Sequence, residues 1–182
     1  MLKDKVALIT GAASGIGYAI AKKMTEEGCK VVIADVNKEG VDKVCKELGC
    51  IGMASDLSTR QGCKDIVDMA VSEYGGVDIL GNVAGIQHVC EIDKFPEDKW
   101  DFMISLMLTA PFLLMKYCWP SMKEKGWGRI INLSSIHGLV ASEFKSCYVS
   151  AKHGLFGLTK TAAMEGGPYG ITANCICPAY VM

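Results

Sequence analysis

The sequence predicts a doubly wound α/β domain of Rossmann type, with a parallel sheet of six strands and helices on both faces. Three observations predict it. Short β-branched runs alternate with longer amphipathic segments along the whole chain. Several of these runs are apolar on both faces, as strands buried in a parallel sheet must be. A glycine-rich turn follows the first run directly and opens the first helical segment.

In chain order, "KVALIT" (5–10) is the first strand, and "TGAASGIG" (10–17) leads into a helix over 15–27. "KVVIAD" (30–35) is the second strand, ended by Asp35 and followed by a helix over 37–48. "CIGMAS" (50–55) is the third, with a helix over 59–74 behind it, and "VDILGN" (77–82) is the fourth. A long helical stretch over 97–125 precedes "GRIINLS" (128–134), the fifth strand. A helix over 147–166 then leads to "ITANCIC" (171–177), the sixth. Such alternation calls for right-handed parallel crossovers. No repeat, low-complexity tract or linker divides 1–182, so one domain is expected.

Composition narrows the function classes. The chain has 182 residues, half of them apolar, enough for a real core. Net charge is −1 and the Lys and Arg residues are dispersed, which argues against nucleic-acid binding. The N-terminus lacks the cleavage pattern of a signal peptide. The longest apolar stretch, 102–115, contains Ser105, Thr109 and Pro111 and falls short of a membrane span. A soluble cytoplasmic protein without membrane contacts is expected. The nine cysteines form no C-x-x-C pair, so buried free thiols are expected rather than a metal site or a disulfide framework. Cys175 and Cys177 alternate along the last strand and share a face of it.

The glycines of "TGAASGIG", namely Gly11, Gly15 and Gly17, let the backbone turn tightly and approach a pyrophosphate, with helix N-terminal amides completing the anion site. Asp35, closing the second strand, is placed to accept hydrogen bonds from both adenosine-ribose hydroxyls and to repel a 2′-phosphate. That pattern points to NAD rather than NADP. Farther on, Tyr148 and Lys152 in "YVSAK" stand at i and i+4, on one face of a helix.

The spacing G-x-x-x-G-x-G differs from the general dinucleotide fingerprint, and it is here that the chain resembles the short-chain dehydrogenase/reductase family along essentially its whole length. The matching pieces are "TGAASGIG", Asp56-Leu57, "NVAG" (82–85), "INLSS" (131–135) and "YVSAK", in family order. The resemblance implies cofactor contacts from the glycine turn with Ser14 and Ile16, from Asp56 and Leu57 at the adenine, and from Asn82, Tyr148 and Lys152. Val83 stands where the family usually has a second Asn. It implies a catalytic trio of Ser135, Tyr148 and Lys152. Tyr148 exchanges the substrate proton, the Lys152 ammonium and the nicotinamide pull its pKa down from the free value of about 10, and Ser135 holds the substrate oxygen. Dimers or tetramers through the two long helices are also implied.

"GIQH" (85–88), "SIHGLVAS" (135–142) and "FKSCYVSAKHG" (144–154) resemble, more narrowly, the (R)-3-hydroxybutyrate dehydrogenases of that family. By that similarity Gln87, His137 and Lys145 grip the carboxylate of a small hydroxy acid, and donors of these types suit an anion. Other substrates, such as a polyol, a keto-acyl group or a steroid alcohol, fit those three residues less well. A cofactor-binding module that has lost catalysis is the contrasting class.

Two departures from the family pattern support that contrast. Met107 occupies the position of a family asparagine that holds a proton-relay water, and a thioether is too weak an acceptor to order one. An intact fold with an impaired relay is therefore expected. The sequence also stops at "CICPAYVM", where the family runs on into a substrate lid and a seventh strand, and Ala179 replaces a usual glycine. A C-terminal truncation is expected, with "ITANCIC" as an apolar edge strand.

Overall fold

The computed structural model describes residues 2–179. Its sheet contains β1 (Val6–Thr10), β2 (Lys30–Asp35), β3 (Ile51–Ala54), β4 (Ile79–Asn82), β5 (Gly128–Leu133) and β6 (Ile171–Ile176). The strands run in the order β3-β2-β1-β4-β5-β6, and every neighbouring pair is parallel. The order reverses between β1 and β4, which opens a crevice at the carboxyl ends of those two strands.

The helices are α1 (Gly15–Glu26), α2 (Lys38–Leu48), α3 (Arg60–Tyr74), α4 (Glu97–Ile104), α5 (Ala110–Glu124) and α6 (Ser146–Gly166). Side chains of successive strand residues point to opposite faces, and both faces of β1 are covered. Leu8 joins Ile66, Leu80, Leu114 and Ile130 in a core beneath α3 and α5. Ile9 joins Ile33, Val41 and Val44 beneath α1 and α2 on the other face. Truncating either residue to alanine would cost about 2–5 kcal/mol.

The side chains of Asn37 and Thr59 cap α2 and α3, accepting from the Gly40 and Gly62 amides at 3.1 and 3.0 Å. The long helical stretch is not uniform. A π-helical turn, Ser105–Thr109, separates α4 from α5. Pro111 has no N–H to donate to the Met107 carbonyl one turn back, which leaves the α-helical ladder open there. The stretch from Glu97 to Glu124 is long and apolar enough, by composition, to cross a membrane. Here Leu113, Leu114, Met115, Cys118 and Met122 are buried in the protein's own core.

β6 stands at the edge of the sheet, as expected. Ile171 and Ala173 are buried, while the opposite face presents Thr172, Asn174 and the half-exposed Ile176. The expected loss of a lid and a seventh strand concerns sequence outside the described residues.

Candidate active site

The carboxyl ends of β1, β4 and β5 frame a cavity of about 530 Å³. The glycine turn forms its floor. A Cβ on Gly17 would stand 2.1 Å from the Gly11 carbonyl oxygen, so only glycine lets α1 pack this close to β1. Gly15 has φ +54° and open space where a Cβ would be. Ser14 is the N-cap of α1 but makes no side-chain cap hydrogen bond, and the first turn carries no acidic residue. Amide groups at this helix end are thus left to an outside acceptor. The cradle fits a pyrophosphate.

Asp35 lines the same cavity. Its Oδ2 accepts from the Ala13 amide at 3.1 Å and its Oδ1 from the Asn37 amide at 3.0 Å. These two bonds fix the carboxylate at the end of β2 and leave it lone pairs for further donors. An adjoining cavity of about 240 Å³ shares Gly11 and Asp35 and is closed by Asp56, Leu57, Phe102 and Leu106. Asp56 is itself held by the Ser58 amide and hydroxyl at 2.9 and 2.7 Å.

Ser135, Tyr148 and Lys152 all line the larger cavity. α6 presents Tyr148 and Lys152 on one face, with the Lys152 Nζ 5.6 Å from the centroid of the Tyr148 ring. Lys152 is only 4% exposed, and its Nζ donates to the Leu133 carbonyl at 2.7 Å. Burial pulls its pKa down to about 8, a shift that Cys175 and Cys177 partly oppose. The Ser135 hydroxyl oxygen accepts from the His137 amide at 3.2 Å. Its own hydrogen remains free to donate toward a reacting oxygen.

Gln87 is exposed on the cavity wall. His137 and Lys145 sit beside it rather than on its lining. The Lys145 Nζ and the His137 Nε2 are 3.2 Å apart, and the imidazole meets the Tyr148 ring edge-on at 6.2 Å between centroids. Lys145 is the N-cap of α6, so the helix begins where that grouping needs it.

Asn82 is placed differently from the rest. It is buried, absent from the lining of the large cavity, and its Nδ2 donates to the Asn132 Oδ1 at 2.7 Å. Asn132 in turn donates to the Thr159 hydroxyl at 2.8 Å, joining β4, β5 and α6. Val83 and Ala84 donate their amides to the Thr10 hydroxyl at 2.9 and 3.1 Å. Met107 lies in the π-helical turn, packed with Met103, Cys147 and Ala151 and touched by Tyr148.

Three features escaped sequence reasoning. The Leu133 carbonyl that receives Lys152 carries no side-chain signal. Thr10, which orders the 83–84 backbone, was legible only as the residue before Gly11. Ser134 lines the cavity and donates to the Lys152 carbonyl at 3.1 Å; its place in "INLSS" beside Ser135 was the available signal. All nine cysteines are free thiols.

The family model described as short chain dehydrogenase matches residues 5–182. An uncharacterized oxidoreductase of Bacillus subtilis is 45% identical over 185 residues, covering 99% of this chain and 72% of that protein. A D-beta-hydroxybutyrate dehydrogenase of Cupriavidus necator is 44% identical, covering 100% of this chain and 72% of its own length. Its counterpart in Rhizobium meliloti is 43% identical, covering 98% of this chain and 72% of that protein. A match of this extent, on a sheet whose crevice holds a glycine cradle and a Tyr–Lys pair, means that the chain belongs to the short chain dehydrogenase family of nicotinamide-dependent oxidoreductases.

Proposed function

We propose that the chain interconverts (R)-3-hydroxybutyrate and acetoacetate with NAD. The observation that carries this reading is the Lys145–His137 pair, 3.2 Å apart and set against the Tyr148 ring. An ammonium and an imidazole beside an acid/base tyrosine suit a small alcohol that carries a carboxylate. The names of the two relatives from Cupriavidus necator and Rhizobium meliloti support the same substrate.

Bound NAD would supply the hydride acceptor. The chain's residues would do the rest. Gln87, His137 and Lys145 hold the carboxylate, and the Ser135 hydroxyl donates to the substrate oxygen. Tyr148 takes the hydroxyl proton as the carbonyl forms, and the Lys152 ammonium stabilises its phenolate. The glycine turn with Ser14 and Ile16 binds the pyrophosphate, Asp35 the ribose diol, and Asp56 with Leu57 the adenine. In this reading Asn82 acts indirectly, by joining the end of β4 to β5 through Asn132. Assembly through α5 and α6 belongs to the same proposal, supported by a groove of about 350 Å³ between them and by Phe112, 47% exposed at its edge.

The test is absorbance of reduced nicotinamide on mixing protein, NAD and (R)-3-hydroxybutyrate, with NAD binding measured in parallel. Turnover is expected, and Lys145→Ala should raise KM about tenfold or more. Binding without turnover would favour the inactive module instead.

A further inference from the structure

Among the described residues other than glycine, two adopt positive φ, and one of them borders the candidate site: Phe144 at φ +61°. A left-handed backbone is disfavoured for a bulky L-residue, and it persists only where its surroundings require it. The side chain does not supply that requirement, since Phe144 is 52% exposed. The backbone does. The Phe144 carbonyl accepts from the Cys90 amide at 2.9 Å. Cys90 lies three residues beyond Gln87, on the loop that carries it, and Phe144 directly precedes Lys145. One left-handed residue therefore ties the Gln87 loop to the start of α6, where Lys145 reaches His137.

We infer that Phe144 is a positioning residue for the substrate carboxylate: its left-handed backbone sets the separation between Gln87 and the Lys145–His137 pair. The inference rests on the proposed hydroxy-acid reading. It predicts that backbone conformation at 144, and not the aromatic ring, governs KM for the acid.

Phe144→Gly and Phe144→Val separate the two contributions, because glycine adopts the conformation freely and a β-branched residue resists it. Four quantities are measured: KM for (R)-3-hydroxybutyrate, kcat, NAD affinity, and hydrogen exchange at the Cys90 amide. Phe144→Gly should keep KM within about twofold of the parent. Phe144→Val should raise KM about tenfold, leave kcat and NAD affinity nearly unchanged, and expose the Cys90 amide to faster exchange. Equal rises in KM for both variants would overturn the inference in favour of the ring. So would a Phe144→Val protein with parental KM and parental Cys90 exchange.

Should Phe144→Val fail to fold, Phe144→Thr, also β-branched, replaces it. A threonine variant that matches Phe144→Gly in KM and exchange would overturn the inference, and one that differs in both supports it. Failure of the substrate reading looks different: the parent would not turn over the acid, or Lys145→Ala would leave KM unchanged. The Cys90 exchange comparison decides the backbone lock in either case.

Discussion

The Lys152 ammonium donates to the Leu133 carbonyl at 2.7 Å, which anchors the cation of α6 to the end of β5. The bond fixes where positive charge stands relative to Tyr148, but it does not replace the water that a buried ammonium loses. Burial accordingly lowers the Lys152 pKa from 10.5 to about 8. The folded value lies below the unfolded one, so the folded state binds fewer protons between those limits and its stability rises with pH there. The penalty is present in full below about 8 and is relieved by 10.5. Lys152→Met removes it. The unfolding free energy of Lys152→Met minus that of the parent, from urea titrations, should fall by about 3 kcal/mol between pH 7 and pH 10.5. A flat difference would mean that the ammonium keeps its hydration in the fold.

Tyr148→Phe keeps the ring and removes the acid. The edge contact with His137 and the packing against the Met103–Met107 cluster involve the ring alone. Stability and NAD affinity should therefore be close to parental, while kcat falls about 10²–10⁴-fold, the usual worth of a positioned acid or base. Turnover by reduced-nicotinamide absorbance and a binding titration check both halves. A tenfold weaker NAD affinity would show that the phenol oxygen serves binding more than proton transfer.

How much of this was legible in the sequence depended on whether a residue's role is local. The continuous apolar runs of "KVALIT" and "KVVIAD" located β1 and β2 within a residue, because burial on both faces is written into each strand. The i, i+4 spacing of Tyr148 and Lys152 put them on one face for the same reason. Pro111 was a signal for the break at Ser105–Thr109, but Pro120 lies inside α5 without one, so a proline alone does not fix where the helical ladder opens. Asn82 was placed correctly at a strand end, yet the direction of its amide depends on Asn132, fifty positions away. The left-handed Phe144 left no trace, because nothing in "SEFKS" distinguishes it from an ordinary loop residue.

Asp35 should govern the choice of adenosine cofactor. Its carboxylate is fixed by the Ala13 and Asn37 amides at 3.1 and 3.0 Å, so a 2′-phosphate would meet a negative charge that cannot swing away. Asp35→Ala should raise KM for NAD about tenfold and allow turnover with NADP. It should also lower the melting temperature, because two amides lose a charged acceptor. Steady-state kinetics with each cofactor are the check. Undiminished preference for NAD in the variant would assign selectivity to another group near the second strand.

Met107 sets the last prediction. It is 1% exposed, and a Cβ on Gly85 would stand 3.5 Å from its Sδ and 3.7 Å from the Lys152 Nζ. The thioether thus borders the space beside the lysine where a relay water would have to be held, and it offers only a weak acceptor. Met107→Asn supplies an amide there, at the expense of placing a polar group among Met103, Cys147 and Ala151. Turnover should rise several-fold while stability falls by about 1–3 kcal/mol, the usual penalty for an imperfectly paired buried amide. Met107→Leu is the control: it keeps the apolar packing and should change neither rate nor stability by much. Parallel kcat measurements and thermal melts distinguish the outcomes, and an unchanged or slower Met107→Asn enzyme would mean that Lys152 exchanges its proton by another route.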